Sequence, residues 1–174
     1  MGIQFETDYN METLTAMAKG LRKTVRKKRS RRVHIFAAVV LILGLLTILA
    51  TTAGGEPLGA SGVVTLLAML VVILVSLFED KLNAWFARKR LLPGTEHAAT
   101  TFEEDGYVSA TSMSESKFSY AQIVAVAETA RYFVFALSSH HTQAYDKRTI
   151  RGGSVEDFRA FIAEKTGKPV ADIK

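Results

Sequence analysis

The chain of 174 residues contains no cysteine. That excludes disulfides, thiolate nucleophiles and cysteine-ligated metals, and it fits a reducing compartment. Proline is scarce, and none occurs before Pro57, so nothing upstream forbids a long helix. Charge is missing from two stretches. Between Val33 and Gly55, and again between Pro57 and Phe78, there is no Asp, Glu, Lys or Arg. Catalytic signatures are missing too. No Gly-x-Ser-x-Gly elbow surrounds Ser61, Ser76, Ser138 or Ser139. Arg151-Gly152-Gly153-Ser154 precedes a helix but lacks the phosphate-loop pattern, and it reads as a loop and cap. His34 lies at the edge of an apolar run, and His97 stands alone. His140 and His141 are adjacent and would face opposite ways on a strand, so no metal site is expected. Glu103, Glu104 and Asp105 form a run at a turn, not a pair held across a cleft. The expectation is a protein that is not an enzyme and carries no cofactor and no metal.

The two uncharged stretches are themselves the main positive signal. Val33–Thr52 and Gly62–Phe78 approach the roughly 20 apolar residues that cross a bilayer core as a helix. Apolar residues occur all around each helix, and so small a soluble domain could not cover two of them. A cleaved signal peptide is disfavoured, because the first run begins at residue 33 and a second follows. The pair predicts a transmembrane hairpin over 33–78, with spans at 33–52 and 62–78 and a loop at 53–61. Neither span holds an ionisable Asp, Glu, Lys or Arg, which disfavours a transporter. Gly44, Gly54 and Gly55 permit close helix approach without forming a clear small-residue stripe.

Charge then sets the orientation. Residues 1–36 hold nine Lys or Arg against three acids, while the loop 53–61 holds only Glu56. Residues 79–92 hold four basic and two acidic groups; residues 93–174 hold nine and eleven. The formal net charge of +5 is therefore a property of the flanks of the apolar runs. Lys and Arg in short loops stay on the cytoplasmic side. Both chain ends are expected in the cytoplasm, with the loop outside, in a multi-pass protein of the bacterial cytoplasmic (inner) membrane. The candidate membrane-surface or lipid contacts are Arg22, Lys23, Arg26, Lys27, Lys28, Arg29, Arg31 and Arg32 before the first span, and Trp85, Arg88, Lys89 and Arg90 after the second. Nucleic acid is not expected as a partner. No aromatic set interleaves the basic cluster, and the cluster abuts a span.

Outside the spans the pattern is mixed. In residues 1–32, Gly2–Tyr9 alternates and predicts a strand, with Asp8 or Asn10 capping a helix after it. Met11, Leu14, Ala18, Leu21 and Val25 make a helical stripe. This predicts a helix continuing into the membrane, with Gly20 as its weak point. The stripe would seat on the C-terminal domain, on a second copy, or on a partner protein. Residues 79–94 read as a juxtamembrane helix with Leu82, Trp85 and Phe86 on one face, ended by Pro93-Gly94. From residue 95 to 174 the pattern is strand-like. Pieces fall at Thr95–Glu103, Tyr107–Ser112, Lys117–Tyr120, Ile123–Thr129, Arg131–Ser138 and Thr142–Tyr145. Arg131–Ser138 is apolar on both faces and should be central. Ser154 and Asp157 resemble a capping box, and Val155, Phe158 and Ile162 give the last helix its buried face. About eighty residues make a small core, which Ile3–Thr7 or Met11–Val25 could help to complete.

The order of Phe102-Glu103-Glu104-Asp105-Gly106, Phe118-Ser119-Tyr120-Ala121-Gln122-Ile123, Glu128–Phe135, Gln143–Arg148 and a helix around Phe158 resembles the YcxB-like membrane proteins. Their C-terminal domain is similar to bacterial pleckstrin-homology-like modules. The resemblance extends over the hairpin and the elements before it. Tyr120 stands where that family usually has Trp, and Asp146 where it has Pro. The resemblance implies an α+β membrane protein: a two-helix transmembrane hairpin followed by a small antiparallel β-sheet or partial barrel with a C-terminal helix. It assigns no functional residues. The expected function is a membrane-tethered, non-enzymatic module that binds a protein, a peptide or a second copy of itself. The alternatives are a sensor of anionic lipid head groups, with Arg148 and Arg151 meeting phosphate, and an accessory subunit of a membrane enzyme or transporter.

Overall fold

The computed structural model describes residues 2–55 and 57–173; Met1, Glu56 and Lys174 lie outside the described residues. The alternating segment near the start forms β1 (Ile3–Asp8), which pairs antiparallel with β2 (His97–Phe102), Ile3 opposite Phe102 and Asp8 opposite His97. β2 turns at Glu104-Asp105-Gly106 into β3 (Tyr107–Ala110), and β4 (Glu115–Phe118) completes a sheet ordered β1-β2-β3-β4. A second sheet is ordered β7-β6-β5-β8, from β5 (Ala125–Glu128), β6 (Tyr132–Ala136), β7 (Thr142–Asp146) and β8 (Val170–Asp172). β8 runs parallel to β5. The sequence reading lacked it, because three residues beyond Pro169 are too few to show a period.

β1 also joins the two sheets. Gln4 and Arg151 exchange two backbone hydrogen bonds of 2.9 Å. The Thr149 hydroxyl donates to the Glu6 carbonyl (2.7 Å) and accepts from its N–H (3.0 Å), and the Asp146 N–H donates to Thr7 Oγ1 (3.2 Å). One seam of the partial barrel is thereby closed, and β4 and β8 are left as open edges. α5 (Val155–Thr166) packs into the barrel, starting at a Ser154–Asp157 capping box and ending at Gly167 in the left-handed region. Phe158 is its anchor, with ring centroids 4.7 Å from Phe5, 4.8 Å from Phe102 and 5.0 Å from Phe133 in edge-on geometry. Ile3 and Phe5, from the far end of the chain, are thus part of the same core.

α1 (Met11–Lys23) is capped by Asn10, whose Oδ1 accepts from the N–H groups of Glu12 (2.9 Å) and Thr13 (3.0 Å). It lies on the outer face of β6 and β7. Phe133 and Phe135 pack in the barrel core, while Tyr132, Val134 and Ala144 pack with Ala16 and Met17 of α1. This is why β6 is apolar on both faces. The helix does not run on into the apolar segment, and Gly20 is not its weak point. α1 ends at Thr24, whose hydroxyl bonds back to the Gly20 carbonyl at 2.7 Å. Such back-bonding by a β-branched residue competes with continuation of the helix. Gly20 is buried, and a Cβ there would fall 2.7 Å from Val134 Cγ1. It serves close approach of helix to sheet.

α2 (Lys27–Ala53) and α3 (Ala60–Leu77) pack against each other with no buried residue in either. Both are long and apolar enough to cross a membrane, by length and composition. α2 begins earlier than the apolar run, so Lys27–Arg32 ride on its first turns. α4 (Glu79–Lys89) follows α3 after Phe78 and lies along α1. There Arg22 grips Asp80 with two bonds, Nε at 2.7 Å and Nη2 at 2.6 Å.

Gly20→Ala should lower the stability of the folded domain by up to about 2 kcal/mol, because overpacking the seam costs about 1–3 kcal/mol against the ~1 kcal/mol that alanine gains in a helix interior. Thermal unfolding of the full chain in detergent reads this, and Gly20→Ala/Val134→Ala should recover part of the loss. A Gly20→Ala chain that melts no lower than its parent would show that the seam has room to spare.

Candidate functional site

α1 covers β6 and β7 but leaves β5 and β8 partly open. A groove of about 1000 Å³ results, walled by Met11, Glu12, Thr15, Ala16 and Lys19 of α1, the β5–β6 turn, and Val170, Asp172 and Ile173. Its floor is apolar. Its rim carries Lys19, Lys81, Arg131, Lys147 and Arg159 beside Glu12, Glu128 and Asp172.

Most of these charges are already committed. Glu128, only 8% exposed, accepts from Arg159 Nε (2.7 Å) and Nη2 (2.6 Å) and from Lys147 Nζ (2.5 Å). The Arg159 hydrogen bond is the main reason its carboxyl lies below the ordinary glutamate range; burial opposes that shift, and Lys147 supports it. Lys147 also donates to the Thr129 carbonyl at 2.6 Å. Beside this cluster Arg131 holds Asp146 through Nε (3.0 Å) and Nη2 (2.8 Å), and it meets Glu12. Arg131 thus ties α1 to the strand behind it. Lys19 and Lys81 have no ion-pair partner among the described residues.

Three of the four buried tyrosines bind groups of the core or of the β2–β3 turn. Tyr107 and Tyr145 both donate to Gln143 Oε1 at 2.8 Å, and Tyr120 donates to the carbonyls of Glu103 (2.6 Å) and Gly106 (3.0 Å). Burial raises all three pKa values, so the hydroxyls stay protonated donors. Among the described residues no three His, Cys, Asp or Glu side chains are grouped to hold a metal, and no buried side-chain polar atom lacks a partner.

The sequence-predicted contacts separate into two groups. Arg22, Arg26, Arg29 and Arg90 line one cleft between α1, the start of α2 and α4. Lys23, Lys27, Lys28, Arg31 and Arg32 are exposed around the junction of α1 and α2. Arg88 and Lys89 are exposed near the end of α4, where Lys89 Nζ sits 3.5 Å from the centroid of Trp85, itself 45% exposed. Arg148 and Arg151 hold acids: Asp146 at 2.9 Å and Glu6 at 3.3 Å. His97 pairs with Asp8 at 2.8 Å, and His34 faces Glu79 at 3.7 Å. The Glu128–Lys147–Arg159 cluster had no sequence signal. Its members come from a strand, a turn and a helix far apart in the chain.

The fold is thus α+β, with two apolar helices set between strands of one sheet. A family model described as YcxB-like protein matches residues 102–162. The match runs from the end of β2 into α5 and so covers part of the chain; β1, α1–α4 and β8 lie outside it. No curated protein and no solved structure matches the chain.

Glu128→Gln leaves Lys147 and Arg159 without their shared anion, and breaking a buried pair from one side costs up to about 3–5 kcal/mol. The lower end applies here, since Arg159 is partly in water. Because the folded carboxyl titrates below the unfolded one, its contribution is complete above the ordinary glutamate range and fades as pH falls through the folded value. Thermal unfolding from neutral pH into acid should show parent and variant far apart at pH 7 and converging at low pH. A gap independent of pH would assign the loss to packing.

Proposed function

We propose that this protein is a membrane-anchored, non-enzymatic binding module, held in the bacterial inner membrane by the α2–α3 hairpin with its β domain on the cytoplasmic side. One observation carries the reading. β1, ahead of the apolar helices, is hydrogen-bonded to β2, behind them, over six residue pairs. A chain that enters a bilayer at α2 must therefore return to the side it left, and two crossings are the fewest that do so. The basic residues flanking both helices support the cytoplasm as that side. The clamp of α1 on α4, with Arg22 on Asp80, joins domain and hairpin directly, without a flexible linker.

The binding surface in this reading is the groove beside β8. Its apolar floor, its cationic rim and the short open edge of β8 suit an extended segment of a partner protein. Strand addition would supply the main-chain hydrogen bonds and the groove would supply side-chain pockets. Two sheets closed by a C-terminal helix, over a span that includes the YcxB-like match, support the pleckstrin-like comparison.

The absence of cysteine makes single-cysteine labelling clean. A membrane-impermeant maleimide should label Gly59→Cys in intact cells and Asp105→Cys only after permeabilisation. Labelling of both from outside would overturn the topology. For the groove, a photocrosslinking residue at Lys19 should trap a discrete partner in cells, and one at Asp105 should not. Identical adducts at both positions, or none at Lys19, would remove the groove from the reading.

A further inference from the structure

The cleft on the other side of α1 has a different character. We propose that it binds the phosphate head group of an anionic phospholipid of the cytoplasmic leaflet. The inference rests on the membrane-anchored reading above. The cleft, of about 590 Å³, is bounded by α1, the first turns of α2, α4, and the β6–β7 turn through His140 and Thr142. Four guanidinium groups line it, those of Arg22, Arg26, Arg29 and Arg90, with Glu79 as its carboxylate. Glu79 lies 3.8 Å from Arg22 and 3.7 Å from His34.

Two of the arginines are held in place by the protein. Arg22 is fixed by both oxygens of Asp80, and Arg26 by its Nε–H donated to the Ser139 carbonyl at 2.7 Å. Arg29 and Arg90 have no ion-pair partner among the described residues, and both are exposed. The cleft therefore holds free planar forks next to anchored ones, and guanidinium forks match phosphate oxygens in pairs.

Position selects a lipid over a soluble anion. Arg29, Ser30 and Val33 of α2 form one wall, where the basic segment gives way to the uncharged run that starts at Val33. A phosphate bound there sits at the depth of head groups, and its acyl chains would extend along the exposed apolar surface of α2. Val33 and Phe86, both exposed, supply the apolar side of the cleft. Basic pockets beside membrane helices on the cytoplasmic side are suited to anionic head groups. A phosphopeptide would have to lie within the head-group layer to reach the same arginines.

The test uses the full chain in neutral detergent, titrated with phosphatidylglycerol or phosphatidylcholine and read by native mass spectrometry. The variants are Arg29→Gln/Arg90→Gln, within the cleft, and Lys117→Gln/Lys165→Gln, which removes two positive charges from the β domain, away from the cleft. The parent should prefer phosphatidylglycerol. The cleft variant should lose about tenfold in affinity for it, and the control should stay within about threefold of the parent, with all three melting alike. Equal losses in both variants would reduce the effect to general surface charge and overturn the site. No preference for phosphatidylglycerol over phosphatidylcholine would overturn it as well. Displacement of the lipid by inorganic phosphate or a phosphopeptide at comparable concentration would reassign the cleft to a soluble anion. Retention of the parent in vesicles through a carbonate wash reports the anchoring separately, so failure of the site and failure of the anchor are distinguishable.

Discussion

Everything else in the molecule follows from the pairing of β1 with β2. Six residues at the start of the chain are hydrogen-bonded to six residues that follow the second apolar helix. The folded domain is therefore discontinuous in sequence. Ile3 and Phe5 enter the core from one side of the apolar helices, and Phe102, Tyr145 and Phe158 enter it from the other. Loop closure costs grow only slowly with the length enclosed, so an inserted pair of helices is tolerated provided that its two ends emerge together. Here they do, because α1 and α4 lie against each other and Arg22 bridges to Asp80.

A small barrel needs such help. The residues after Pro93 alone would leave the outer edge of β2 and the outer face of β6 unprotected. β1 covers the edge and α1 covers the face. β1 also ties the sheets into one unit through Arg151 and Thr149, while the ion network of Glu12, Arg131 and Asp146 pins α1 to the barrel. Lys147 and Arg159 converge on Glu128 at the neighbouring edge. Cations on the barrel are thus mostly spent on holding the fold. Most of those on α1, α2 and α4 have no ion-pair partner among the described residues.

Local patterns were legible where they depend on neighbours in the chain. The two-residue alternation of Ile3–Thr7, the turn at Gly106, the doubly apolar run around Phe133 and the Ser154–Asp157 cap all appear where the residues indicated. The stripe of α1 was visible as well, but its reading as one helix continuous with the apolar segment failed at Thr24. Gly20 misled for a physical reason. A glycine in a helix signals either weakness or close approach, and only the position of Val134 distinguishes the two. Arg148 and Arg151 looked available to phosphate because Asp146 and Glu6, which hold them, could not be placed beside them from sequence.

The sequence by itself determined the two uncharged helices, the basic flanks around them and the strand-rich character of the C-terminal part. Each of these depends on composition or on a short period along the chain. Only the tertiary structure decided that β1 completes the barrel, that β8 runs parallel to β5, that Glu128 gathers two cations and that four arginines share one cleft. Those outcomes depend on which distant surfaces meet when apolar area is buried, and no local pattern encodes that choice.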